Sequence, residues 1–310
     1  VDGVPVLASP LIVLAGPTAA GKTALSLELA RARRAEIVCC DSLQVYRGLD
    51  IGSAKPSPEE RREVPHHLLD VVDPTEDFSA AEYARRARAA VRDIAGRGRL
   101  PLVVGGTGLY LRALLEGLFE GPSRHEGLRR RLTGLAERHG DERVHRLLLR
   151  VDRDSAARLD PHDRVRLVRA LEVYFLTGRP LSQHHAGAKD PLTGFRVGVF
   201  LLDPGPEALR PRVAARTRRM FERGLLAEVQ GLLDRGLAPR LRPLRAIGYR
   251  QAVAVLEGRM SPQEAEQDTL TATLQYAKRQ RTWFRHQIEG IWCRTAEAAV
   301  QEASAFLGAC

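Results

Sequence analysis

The run Gly16-Pro17-Thr18-Ala19-Ala20-Gly21-Lys22-Thr23 has the spacing G-x-x-x-x-G-K-T, and it follows the apolar stretch Leu11–Ala15. Between a strand and a helix, such a loop aims backbone N–H groups and a helix N-terminus at a phosphate chain. Lys22 would add a point charge, and the Thr23 hydroxyl would ligate Mg²⁺. Only four of the 48 cationic side chains are lysines, Lys22, Lys55, Lys189 and Lys278. In a chain whose default cation is Arg, a Lys in the loop is there for its compact charge.

Two further segments also close apolar runs. Asp41-Ser42-Leu43-Gln44 follows Glu36–Cys40. A carboxylate there could hold Mg²⁺, take a proton as general base, or cap a turn. Gln44 fits an adenine edge. Gly105-Gly106-Thr107-Gly108 follows Leu102–Val104 and offers N–H groups and one hydroxyl, suited to the oxygens of a diphosphate or a leaving group. Leu68–Asp73 offers other acids, which keeps a kinase-like layout open.

Cations form two groups. Arg212, Arg216 and Arg219 are spaced to share one helix face, solvated or clamping a developing anion. Lys278-Arg279-Gln280-Arg281-Thr282-Trp283-Phe284-Arg285 interleaves cations with two aromatics in a chain that is only 5 % aromatic. That mixture fits RNA, where bases stack on rings, or a helix burying its rings in a core. The net charge of +10 points the same way, toward a polyanionic partner.

Strands are predicted at Leu11–Ala15, Glu36–Cys40, His67–Val72, Leu100–Val104 and Phe195–Leu202, with helices at Lys22–Arg33, Pro58–Glu63, Ala80–Gly96 and Pro161–Thr177. Alternation of this kind predicts an α/β fold, a P-loop NTPase-like, mainly parallel sheet flanked by helices. Its ligands belong at the carboxyl ends of the strands, where all three candidate segments converge. Residues 121–190 instead read as a helical insertion domain, carrying 15 Lys/Arg against 10 Asp/Glu. The core is then 1–120 together with 191–310. Cys39, Cys40, Cys293 and Cys310 have no zinc-ligand spacing, and the adjacent Cys39 and Cys40 read as small hydrophobes on a strand of a reduced, cytoplasmic protein. The N-terminal stretch has no basic n-region, and no run approaches a membrane span.

In this order the segments resemble the tRNA dimethylallyltransferase family, also called tRNA isopentenyltransferase: GPTAAGKT (16–23), DSLQVY (41–46), DIGSAKP (50–56), HHLLD (66–70), GGTGLY (105–110), RALEVYFLTG (169–178), IGYRQ (247–251) and AKRQRTWF (277–284). The resemblance spans almost the whole chain. It implies transfer of a dimethylallyl group from its diphosphate to N6 of the adenosine immediately 3′ of the anticodon, with Mg²⁺ as cofactor. It also implies an insertion that grips the tRNA anticodon stem-loop. By position, Gly16 through Thr23 would hold the diphosphate, with Thr23 at the metal. Asp41, Thr107 and Arg216 would be catalytic, Asp41 as general base, Thr107 on the leaving-group side and Arg216 stabilising the diphosphate. Ser42 and Gln44 would help place the flipped adenine, and Asp41 and Leu43 of the same segment would meet tRNA with them. Val165, Arg166, Leu167, Val168 and Arg169, with Lys278, Arg279, Gln280 and Arg281, would meet tRNA.

The chain departs from the family pattern at Ala20, Ser53 and His162, where Ser, Thr and Asn are usual. No C-terminal zinc finger pattern of the eukaryotic kind is found, which favours a bacterial-type enzyme; a monomer acting without a membrane is also expected. Competing readings are prenylation of free adenine nucleotides, an ATP-dependent small-molecule kinase and an RNA-binding NTPase. The basic insertion and AKRQRTWF argue against the first, since a free nucleotide would not need them.

Overall fold

The run Leu11–Ala15 lies within β1 (Ser9–Ala15), and each of its residues is at most 2 % exposed in a computed structural model of the chain. The structure describes residues 8–118, 121–185 and 190–308, so Lys189 and Cys310 lie outside it. A strand so uniformly apolar must be covered on both faces. The elements that cover it continue as α1 (Lys22–Arg33), β2 (Ala35–Cys40), α2 (Pro58–Glu63), β3 (His66–His67), α3 (Ala80–Gly96), β4 (Leu100–Gly105) and α4 (Gly108–Glu116). Among the described residues the helices α5 (Glu126–His139), α6 (Asp141–Val151), α7 (Arg153–Arg158), α8 (Arg164–Thr177) and α9 (Leu181–His185) follow. The sheet then resumes with β5 (Phe195–Leu202), α10 (Pro206–Glu222), α11 (Leu225–Asp234), a 3-10 turn at Pro243–Arg245, α12 (Tyr249–Leu256), α13 (Pro262–Gln287), β6 (Ile291–Cys293) and α14 (Ala296–Gly308).

The chain divides into two compact units, the second running from Glu116 to Pro191. The first unit holds a six-stranded sheet in the order β3-β2-β4-β1-β5-β6, with every pairing parallel. Side chains alternate along each strand, and so do the two apolar layers. Leu11, Val13 and Ala15 pack with Tyr83 and Val91 of α3, Leu111 of α4 and Phe284 of α13. Ile12 and Leu14 pack with Leu25 and Leu29 of α1 and Ala299 and Ala303 of α14. The result is a P-loop-like α/β fold in which the turns after β1, β2 and β4 open at one end of the sheet.

In the second unit Leu132, Val144, Leu148, Leu167 and Leu171 form the core. Glu172 sits inside it, fully buried, and accepts from His125 N at 2.8 Å while pairing with Arg129 and Arg169. Burial pushes its carboxyl upward, but the two guanidiniums and the N–H win and hold it at about 2.

Three elements differ from their sequence reading. Of the strand expected over His67–Val72, only His67 pairs with β2, joined by His66 just before it. Leu68 and Asp70 adopt left-handed φ values of 64° and 55°, and Lys55 and Arg61 each clamp the Asp70 carboxylate at 2.6 Å, so the chain turns away. The helix expected from Pro161 starts instead at Arg164, because Asp163 caps Arg166 N at 3.2 Å. Strand β6 was not foreseen: three residues, two of them exposed, give no periodic signal.

Candidate active site

The phosphate loop takes its shape from two constraints. Gly16 has φ 144°, and a Cβ there would lie 2.3 Å from the Leu202 carbonyl oxygen of the neighbouring strand, so only glycine fits. Gly21, at φ 102°, is the N-cap of α1. No side chain caps that helix and its first turn has no acid, which leaves its N–H groups and positive dipole end for an anion. Lys22 Nζ donates to Gly16 O at 2.9 Å and Pro17 O at 2.7 Å, folding the ammonium over the loop. Burial, reinforced by Arg216 and opposed by Asp41 and Cys40, lowers its pKa to about 8.

A cavity of about 780 Å³ opens over the loop. Thr18 through Thr23 line it, while Gly16 and Pro17 lie beneath with their carbonyls turned to Lys22. Asp41, Ser42, Leu43 and Gln44 line it from the end of β2, and Gly105 and Gly106 from the end of β4. From α10, Arg212, Arg216 and Arg219 reach the same space, as their spacing predicts. Asp41 Oδ1 accepts from Leu43 N at 2.8 Å and Gln44 N at 3.3 Å. The carboxylate is thereby oriented through Oδ1. Arg216 Nη2 donates to Ser53 O at 3.4 Å, and burial lowers its guanidinium against the pull of Asp41.

Several expected contacts resolve differently. Thr107 does not line the cavity: its Oγ1 accepts from Ser42 N at 3.1 Å, so it fixes the turn that carries Asp41. Gln44 is spent internally, donating from Nε2 to Ser53 O and Ala54 O, both at 3.2 Å, and accepting from the Cys39 thiol at 3.1 Å. It can shape the wall, but its amide is not free to read an adenine edge. Gln280 is buried and accepts from Thr18 N at 2.9 Å while donating to Gly106 O at 2.8 Å. It ties the β1 and β4 turns together rather than meeting RNA. Arg281 pairs with Asp203 at 2.7 Å, whereas Lys278 and Arg279 are exposed.

In the second unit Val165 and Arg166 are exposed, and Arg169 is held by Glu172 and the Pro122 carbonyl. Leu167 and Val168 are core residues of α8, at 0 % and 4 % exposure, and cannot touch a nucleic acid without unfolding it. Helical periodicity forces this: five consecutive residues of one helix cannot share a face. Phe284 is likewise core, and Trp283 packs its ring on Gly108, where a Cβ would lie only 2.2 Å away.

The sequence reading missed the α13 wall. Thr269, Thr273, Tyr276 and Gln280 line the cavity at helical spacing, a polar stripe visible in the sequence once its helix is known. Thr269 Oγ1 is buried with no partner among the described residues. Cys39 and Cys40 are buried as well, and burial pushes the Cys40 thiol up to about 12, which removes it as a nucleophile at neutral pH.

The Thr23 hydroxyl, a hard oxygen donor, lines the cavity where a metal would sit beside the phosphate cradle. Among the described residues no three His, Cys, Asp or Glu side chains gather as a metal site. Few protein ligands beside a phosphate cradle suit Mg²⁺, which keeps waters and takes phosphate oxygens.

Comparison with known proteins points in one direction. The family model described as IPP transferase matches residues 44–287. A tRNA dimethylallyltransferase from Koribacter versatilis is 50 % identical over 285 residues, covering 92 % of each chain. A solved tRNA delta(2)-isopentenylpyrophosphate transferase from Staphylococcus epidermidis superposes with a TM-score of 0.68 at 33 % identity, over 97 % of this chain and 100 % of that one. A eukaryotic dimethylallyltransferase, solved in snapshots acting on tRNA, gives 0.79 at 28 % identity, over 97 % and 80 %.

Proposed function

This chain belongs to the IPP transferase family, and on that premise we propose that it is a tRNA prenyltransferase moving a dimethylallyl group from dimethylallyl diphosphate to N6 of the adenosine 3′-adjacent to the anticodon. The observation that carries the reading is one cavity lined by an anion cradle, a tethered carboxylate and Arg216. A phosphate-binding loop alone would suit a kinase equally.

Transfer breaks the C1–O bond of the allylic diphosphate, with the electron pair leaving on oxygen. The N6–C1 bond forms, and the N6 proton must go to a base. The loop N–H groups, Lys22 and Arg216 meet the developing charge on the diphosphate. Asp41 receives the proton through the oxygen not bound to Leu43 and Gln44. Thr23 would hold Mg²⁺ with the diphosphate oxygens, and the ion supplies further charge neutralisation there when bound. The adenine must leave its stack to reach such a cavity, so the anticodon stem-loop is the part of the tRNA engaged. Exposed cations at Arg166, Lys278 and Arg279 suit its phosphates. No described helix is long and apolar enough to cross a membrane, and we read the enzyme as a cytoplasmic monomer.

Labelled dimethylallyl diphosphate or ATP, offered with tRNA, AMP or no acceptor, tests the reading. Prenyl label is expected in tRNA alone. Label in AMP, or transfer only from ATP, overturns it.

A further inference from the structure

The loop from Leu49 to Lys55 offers no reacting group, yet a single carboxylate on another element holds it. Glu228 of α11 accepts through Oε2 from Asp50 N at 3.0 Å and Ile51 N at 2.6 Å. Its Oε1 accepts from Gly52 N at 3.3 Å and from the Tyr249 hydroxyl of α12 at 2.8 Å. Four donors on two oxygens suit an ionised carboxylate, whereas an amide would turn an NH₂ toward some of them. The loop backbone lies directly on the tyrosine, since a Cβ at Gly52 would come within 2.4 Å of the Tyr249 ring. Two residues on, Ala54 holds a left-handed φ of 50°, a conformation its surroundings must enforce. Lys55 fixes the far end, donating to Tyr46 O at 2.8 Å and pairing with Asp50 and Asp70.

The consequence lies in the cavity. Ser53 O accepts from both Gln44 Nε2 and Arg216 Nη2, and Ala54 O accepts from Gln44 Nε2. Two cavity side chains therefore take their orientation from carbonyls whose position the Glu228 anchor sets. We propose that Glu228 is a positioning residue for prenyl transfer, acting through the 50–54 loop on Gln44 and Arg216. The inference rests on the reaction proposed above. Glu228 is not among the residues that line the cavity. It acts on turnover by holding in place the wall against which the adenine and diphosphate are aligned.

Transfer of labelled prenyl group to tRNA by the unaltered enzyme comes first, and its failure counts against the reaction rather than against Glu228. With transfer established, Glu228→Gln should lower kcat per folded molecule by about 10- to 100-fold, the range for mismatched buried hydrogen bonds. In a Gln44→Ala background the same change should cost at least about threefold less, because one of the two groups it acts through is gone and only the Arg216 contact remains. Equal losses in both backgrounds, or unchanged kcat per folded molecule, overturn the proposal. Should Glu228→Gln fail to fold, Tyr249→Phe keeps the ring against Gly52 and removes one donor. It should lose about 3- to 10-fold, again less in the Gln44→Ala background. Unchanged or additive behaviour of Tyr249→Phe overturns the proposal equally.

Discussion

Asp41 has one oxygen committed to its own turn, accepting from Leu43 N and Gln44 N, and the proposed proton transfer falls to the other. Asp41→Asn keeps the acceptor for Leu43 and Gln44 but cannot take a proton. Single-turnover transfer should fall by roughly 10²- to 10⁴-fold while tRNA binding, measured by filter retention, holds. Lys22 gives a pH signature. Its ammonium is lowered to about 8 by burial and by Arg216, so the ligand-free site loses that charge as pH rises through 8. Inorganic diphosphate affinity, followed by calorimetry, should therefore fall above about pH 8, and Lys22→Met should flatten that step. The sign for stability is opposite. A lysine with a depressed folded pKa penalises the empty fold at neutral pH, and the penalty eases as pH climbs from 8 toward 10.5.

At the scale of elements, α13 does two jobs with alternate faces. Its inner face closes the cavity through Thr269, Thr273, Tyr276 and Gln280, and its outer face leaves Lys278 and Arg279 to solvent. Gln280 is the clasp, bridging the turns after β1 and β4. Gln280→Leu would leave Thr18 N–H and Gly106 C=O unpaired at a cost of about 1–3 kcal/mol each. The expected result is at least a roughly tenfold rise in the dissociation constant for inorganic diphosphate, with tRNA affinity little changed. A loss confined to tRNA binding would restore Gln280 to the RNA-contacting set.

Across the whole molecule, the net charge of +10 is not needed for a diphosphate. Neutralising even a few tRNA phosphates should make affinity fall by about tenfold or more between ~50 and ~200 mM salt. Replacing Lys278 and Arg279 together by Ala should lower the log–log slope by about one to two if both meet phosphates. An unchanged slope in a binding titration would show that neither does.

The sequence by itself determined the ingredients and their order. The runs of β1, β2, β4 and β5 are mostly apolar because parallel strands are largely buried on both faces, so they are legible from the local pattern. The phosphate loop, Asp41 and Arg216 were legible too, since turn chemistry and helix spacing are local properties. Tertiary structure alone decided which polar atoms remain available. Thr107 and Gln280 fall on substrate by the family resemblance and Gln44 also because its amide fits an adenine edge, but their partners are Ser42, Thr18 and Ser53, brought together by the fold. Leu167 and Val168 were placed on RNA as part of a contiguous segment, and only the packing of α8 shows which side of that segment faces inward. Glu228 carried no signal in the sequence, an ordinary acid on a helix. Its weight comes from three backbone N–H groups about 177 positions away in the chain, a convergence that no local pattern encodes.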